Sequence, residues 1–187
     1  MEVAAALLAA GGGTRFDGAT HKLLTELDGH PLWRWSLGHV LAAGFEHVVL
    51  VTGAVDLDPP DGVTVVRNPK WAAGQAGSLQ AAVRYAADTG AEALIVGLAD
   101  QPGVPAAAWR AVADAPPSPI VIATYDGVPG PNPVRLHHSM WPLLPAAGDQ
   151  GARGLIGAHP EWVTSVACLG SAHDIDTLED LERWRRC

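Results

Sequence analysis

The sequence predicts an α/β protein with a mostly parallel sheet between helical layers. Three features predict it. Short apolar runs alternate with helical stretches along the whole chain. The first of these runs, Val3–Ala9, is continuous and does not alternate with polar residues, as expected of a strand covered on both faces. A run of three glycines, Gly11, Gly12 and Gly13, follows the first strand directly. In sheets of this kind, ligands sit beyond the carboxyl ends of the strands.

The elements can be taken in order. Val3–Ala9 is an unbroken apolar run and reads as the first strand. Pro31, at a first helical position, opens an amphipathic helix that Gly44 closes near Phe45. Val48–Thr52 and Val63–Arg67 read as the second and third strands. Ser78 reads as the N-cap of a helix through Leu79, Ala82, Val83 and Ala86 to Gly90. Ala93–Leu98 is another strand, and Pro105 starts another helix. Residues 120–124, 133–136 and 163–168 read as further strands. Thr177-Leu178-Glu179-Asp180 fits a capping box, with Asp180 in the usual place of Glu, ahead of a short C-terminal helix.

With 187 residues, 48% of them hydrophobic and 17% charged, the chain is expected to fold as one domain, residues 1–187, around a sizeable core. Its net charge of −8 and its lack of basic runs argue against a nucleic-acid partner. The one cationic cluster, Arg183, Arg185 and Arg186, reads as a solvated helix end. Cys168 and Cys187 have neither metal-type nor disulfide-framework spacing, which suits a reducing cytoplasm; Cys187 reads as frayed. No stretch approaches the roughly 18 apolar residues of a membrane span. The first residues carry Glu2 and no basic region, so they read as a strand and not as a signal peptide.

Glycines directly after a buried strand are poor core residues but allow positive φ and close approach of a ligand. Consecutive exposed amides in such a loop make an anion-binding nest. Arg15 and Lys22 add a forked donor and a point charge, so the segment reads as a polyphosphate cradle. Two familiar cradles fail. The dinucleotide pattern starting at Gly11 needs glycine where Phe16 stands, and the P-loop pattern starting at Gly13 needs lysine where Ala19 stands.

Leu8-Ala9-Ala10-Gly11-x-Gly13-x-Arg15-Phe16, followed by Lys22, resembles the signature of the MobA-like nucleotidyltransferases, and within them the molybdenum cofactor cytidylyltransferase branch. The resemblance returns at Asn68-Pro69-x-Trp71-x-x-Gly74-x-x-x-Ser78-Leu79 and at Gly97-Leu98-Ala99-Asp100-Gln101-Pro102. It returns again at Gly148-Asp149-x-Gly151-Ala152-Arg153 and at Asp174-Ile175-Asp176-Thr177. It implies a Rossmann-like three-layer α/β/α fold. It also implies transfer of a nucleoside monophosphate to a phosphate-bearing small molecule, with release of pyrophosphate.

Asp100 ends an apolar strand, where a carboxylate either caps a turn or binds a cation. Asp174 and Asp176 precede the last helix, where capping is an ordinary role. Mg²⁺ is commonly held by one or two carboxylates plus substrate phosphates. The resemblance assigns Mg²⁺ to Asp100 and Asp176; Asp174, two residues away and expected on the same side of an extended backbone as Asp176, ranks third. It places Thr52, Gly53, Asn68, Gly77 and Ser78 around the nucleoside, although Asn68 also reads as a turn residue and Ser78 as a cap. Ala10 favours CTP over GTP, because the family associates Leu-Ala-Ala-Gly with cytidine. The acceptor, molybdopterin on the resemblance, is expected near residues 127–133 and 148–153. There the chain departs from the family: Gly130-Pro131-Asn132-Pro133 replaces the usual Gly-His-Pro, and the segment from Phe16 to Lys22 is long. A sugar 1-phosphate or other phosphometabolite is the alternative acceptor, and a non-catalytic nucleotide-binding protein of the same fold the rival of another class. Adjacent His137 and His138 are expected to point to opposite sides of an extended chain. Trp33, Trp35, Trp109 and Trp184 fit amphipathic helices.

Overall fold

The computed structural model describes residues 1–186 and, of Pro131, the backbone alone; Cys187 lies outside the described residues. Nine strands and five α-helices follow one another as β1 (Val3–Ala9), β2 (Glu26–Leu27), β3 (His30–Pro31), α1 (Leu32–Ala42), β4 (Val48–Thr52), β5 (Val63–Arg67), α2 (Gln75–Asp88), β6 (Ala93–Leu98), α3 (Ala106–Ala113), β7 (Ile120–Tyr125), β8 (Val128–His137), α4 (Arg153–Ala158), β9 (Val163–Cys168) and α5 (Leu178–Trp184). Seven strands form one sheet in the order β5-β4-β1-β6-β8-β7-β9, and β2 pairs with β3 apart from it. Within the large sheet only β8 runs antiparallel, between β6 and β7. Among the described residues, no helix is long and apolar enough to cross a membrane.

The continuous apolar runs become strands because both faces of the sheet are covered. Along β1, Ala4, Ala6 and Leu8 pack with Leu79, Ala82, Val83 and Ala86 of α2. The alternate residues Ala5, Leu7 and Ala9 pack with Trp33, Leu37 and Val40 of α1 and Trp109 and Val112 of α3. That is the α/β/α layering expected. Gly97 lets α3 sit close: a Cβ there would fall 2.5 Å from Trp109 Cζ2. A third, small cluster joins Phe16, Leu27, Leu32, Ile175 and Leu181. It ties the segment after the glycine loop to the segment before α5.

The structure moves four boundaries. α2 begins at Gln75 behind Gly74, so Ser78 lies inside the helix and does not cap it. The helix starts early because Gly148 O accepts from Ala76 N at 2.9 Å, satisfying a first-turn amide. Pro31 and Pro105 each stand one residue before their helix, not inside its first turn. Residues 127–133, read as a glycine- and proline-rich loop, are mostly strand. Asp126 and Gly127, at φ 52° and 77°, make the tight turn of the β7–β8 hairpin. The prolines are tolerated because the β7–β8 register shifts between Ile122 and Thr124. Helix α4 was not read from the sequence.

Candidate active site

The site forms where β1 and β6 end side by side. Leu8 pairs with Leu98 in register, so the glycine loop and Asp100 emerge from neighbouring strands. Asp176 reaches them from the far end of the chain. Ile175 N donates to Asp100 O at 2.9 Å, which locks the two carboxylate-bearing segments together. Asp176 is fixed from the other side by the capping box of α5. There Asp180 Oδ2 accepts from Thr177 N at 2.9 Å and from Asp176 N at 3.2 Å, while Thr177 Oγ1 accepts from Asp180 N at 3.1 Å.

Lys22 opens a single 3₁₀ turn, Lys22–Leu24, and is buried. Its Nζ donates to Asp100 Oδ2 at 2.5 Å and to Asp176 Oδ1 at 2.7 Å. Burial alone would push this ammonium down, but the charge and hydrogen bonds of Asp100 and then Asp176 outweigh it and hold it above its usual value. The exposed Arg15 pairs with Asp176 Oδ2 at 2.8 Å. Asp174 points elsewhere, accepting from Gln101 Nε2 at 2.7 Å. Burial first, and the charge of Asp100 second, hold its carboxyl above the usual range. Two carboxylates therefore share one lysine, and a third stands close behind them.

The donor set fits a hard divalent cation. Asp100 Oδ1 is buried with no hydrogen-bond partner, a cost that a cation ligand would remove. Among the described residues, no group of three His, Cys, Asp or Glu side chains could hold a metal on its own. A pair completed by substrate phosphates is the arrangement Mg²⁺ commonly takes.

The loop above these charges is open to a ligand. The amides of Gly11, Gly12 and Gly13 donate to no acceptor among the described residues. Gly13 takes φ 61°, a conformation that favours glycine. His21 pins the loop from below. Its Nδ1 accepts from Leu23 N at 3.3 Å, so its Nε2–H donates to Gly11 O at 3.0 Å. Burial, with the charge of Lys22 added, pushes this imidazole below its usual value against the pull of the Gly11 carbonyl.

Two contiguous cavities share the loop. One, of about 420 Å³, is lined by Ala9, Gly11 to Gly13, Arg15, Lys22, Asp100, Asp149 and Asp176. The other, of about 370 Å³, runs along Ala10, Gly11, Gly12, Trp71, Gln75, Ser78, Asp100 and Asp149; Leu8 lines both. Thr52, Gly53, Asn68 and Gly77 line neither. Asn68 stands behind the wall, donating from Nδ2 to Ser78 Oγ at 3.0 Å and accepting from Lys70 N at 3.0 Å. It orients Ser78, and Gly77 is small because Asn68 lies 3.1 Å from where a Cβ would be. In the second acceptor segment, Asp149 stands where the two cavities meet, while Gly151, Ala152, Arg153 and Asn132 line a small adjoining cleft.

The sequence assigns no individual role to His21, Trp71 or Gln75, and places Asp149 only within the second expected acceptor segment. Trp71 and Asp149 stood inside quoted motifs; for His21 the only signal was its place beside Lys22. His137 and His138 do not splay apart. Their ring centroids lie 4.2 Å apart, because the chain turns into a 3₁₀ helix at His138.

The chain has relatives among known proteins. The family model described as MobA-like NTP transferase domain matches residues 5–163. The crystal structure of Rv0371c from Mycobacterium tuberculosis H37Rv is 25% identical, with a TM-score of 0.80 over 100% of this chain and 99% of that one. The same protein is also known as a complex with manganese, with a TM-score of 0.77 at 26% identity, covering 100% of this chain and 99% of that one. A nucleotidyl transferase from Methanothermobacter thermautotroptrophicus shares the fold at 23% identity, with a TM-score of 0.81 over 99% of this chain and 96% of that one. The bifunctional protein GlmU of Cutibacterium acnes is 36% identical over 78 residues, 37% of this chain. That match spans only 19% of GlmU's length.

Proposed function

Because this chain belongs to the MobA-like NTP transferase domain family, we propose that it transfers a nucleoside monophosphate, CMP from CTP by preference, to a phosphate-bearing small molecule of the molybdopterin cofactor class. An acceptor phosphate oxygen attacks the α-phosphorus, the bond to the bridging oxygen breaks, and pyrophosphate leaves. Ala10 in the loop supports CTP, through the family association of Leu-Ala-Ala-Gly with cytidine. The cytoplasmic setting belongs to the same proposal.

The observation that carries the reading is Lys22 Nζ between Asp100 and Asp176 at the foot of the glycine loop. Asp100 and Asp176 would hold Mg²⁺, which supplies Lewis-acid neutralisation of charge on the phosphoryl oxygens. The free loop amides and Arg15 bind the triphosphate. Lys22, within reach of the same oxygens, steadies the charge that builds as the phosphorus becomes pentacoordinate. No covalent intermediate is needed, since positioning and charge neutralisation account for the catalysis.

The test is a panel of CTP, GTP, UTP and ATP against molybdopterin and sugar 1-phosphates, scored by pyrophosphate release with Mg²⁺ and with chelator. CTP with molybdopterin should give the highest rate, and chelator should abolish it. A GTP preference would refute the base assignment. Tight NTP binding without pyrophosphate release for any acceptor would refute transfer itself.

A further inference from the structure

The two cavities that meet at the glycine loop differ in charge. One holds Arg15 and Lys22 and suits phosphate oxygens. The other extends from the same glycines along Trp71, Gln75 and Ser78; Asp100 and Asp149 line both cavities, and what the second lacks is a cation. A nucleoside triphosphate has the same division, with its charge at one end and a flat, uncharged base at the other. Trp71 is the one aromatic side chain among the residues lining the two cavities.

Trp71 is held there by design of the backbone around it. A Cβ on Gly53 would fall 2.6 Å from Trp71 Cβ, and one on Gly12 would fall 2.7 Å from Trp71 Cζ3. The indole therefore lies across the gap between the end of β4 and the glycine loop, where two glycines leave room for it. Trp71 is partly exposed and lines this cavity, and its Nε1 donates to no acceptor among the described residues. A large apolar face, fixed in a cleft and left in contact with water, gains when a flat ligand covers it.

We propose that Trp71 is the nucleoside-binding residue of the site, its indole stacking on the pyrimidine base of the NTP whose triphosphate takes the loop amides, Arg15 and Lys22. The proposal rests on the nucleotidyl-transfer reading and adds to it the residue that recognises the base.

The experiment measures, by calorimetry, the Kd of CTP and of inorganic tripolyphosphate for wild type, Trp71→Phe and Trp71→Leu. Base–aromatic stacking predicts that Trp71→Leu weakens CTP about 10-fold or more. Tripolyphosphate should change by less than about twofold, because it never reaches the indole, and Trp71→Phe should keep most of the CTP affinity. Equal losses of both ligands in Trp71→Leu would assign Trp71 to holding the loop and overturn the proposal. So would unchanged CTP binding. If Trp71→Leu does not fold, the tryptophan emission of wild type and Trp71→Phe decides: CTP should quench the wild type and not the variant, and equal quenching overturns the proposal. A wild-type protein that binds no NTP at all would sink the transfer reading together with this one. Wild-type CTP binding that survives in Trp71→Leu would sink this one alone.

Discussion

Replacing Lys22 with methionine is the sharpest perturbation of the site, because methionine keeps the bulk and removes the charge. At an effective dielectric of about 20, unit charges 2.5 Å apart attract by about 6.6 kcal/mol before desolvation is subtracted. Deleting one partner of a buried pair costs about 3–5 kcal/mol net, since the other charge is stranded. Asp100 and Asp176 side chains are 17% exposed and Arg15 still touches Asp176, so the low end applies, about 3 kcal/mol. For a chain of this size that lowers Tm by about 6–12 °C. Turnover should fall about 10²- to 10³-fold, the usual cost of one electrostatic donor in a transition state. Divalent cation without nucleotide should raise the Tm of Lys22→Met more than that of wild type, because the carboxylates have lost their resident cation. Scanning calorimetry with and without Mn²⁺, alongside pyrophosphate release, reads all three effects. Near-normal turnover with full Mg²⁺ dependence would refute the role given to Lys22. A Tm within about 1 °C of wild type would refute the energetics.

Three further outcomes are expected. Asp174→Asn should leave stability unchanged or higher and turnover within about tenfold. It keeps the acceptor for Gln101 Nε2 and removes a carboxylate that burial and Asp100 disfavour; a 10²-fold loss of turnover would promote Asp174 to a metal ligand. His21 has a depressed value in the fold, so its stabilisation is complete above about pH 6.5 and is lost as pH falls through the folded value. The KM for NTP should accordingly rise on the acid side in wild type and stay flatter in His21→Gln; identical profiles would show that His21 does not set the loop. Gly97→Ala would put a Cβ 2.5 Å from Trp109 Cζ2 and should cost about 1–3 kcal/mol in urea unfolding, with no preferential loss of NTP affinity.

The fold was legible where the physics is local. β1, β4, β5, β6 and β9 have the bounds read from the sequence. β1, β4 and β6 are buried at nearly every position and so must be apolar there, while the edge strands β5 and β9 are partly exposed and carry Thr64, Arg67, Thr164 and Ser165. The capping box of α5 was legible for the same reason, its partners being three residues apart. Failures came where a distant partner decided. Nothing near Ser78 shows that Gly148 O will satisfy Ala76 N and start α2 a turn early. Nothing near residues 127–133 shows that a register shift in β7 will let prolines enter a strand.

The site divides along the same line. The glycine loop announces itself because three consecutive glycines after a buried strand have no packing purpose, and Asp100 because a carboxylate at a strand end needs one. What the sequence could not carry is how Lys22 is shared, since its two partners lie 78 and 154 residues away. Nor could it show that Gly12 and Gly53 leave room for Trp71, since a contact among residues 12, 53 and 71 exists only once β1 and β4 are paired. The glycine run was read as a phosphate nest alone. In the folded chain Gly11 and Gly12 line both cavities and Gly12 also leaves room for the indole, and so a substitution at Gly12 should disturb both phosphate and base, whereas one at Trp71 should disturb the base alone.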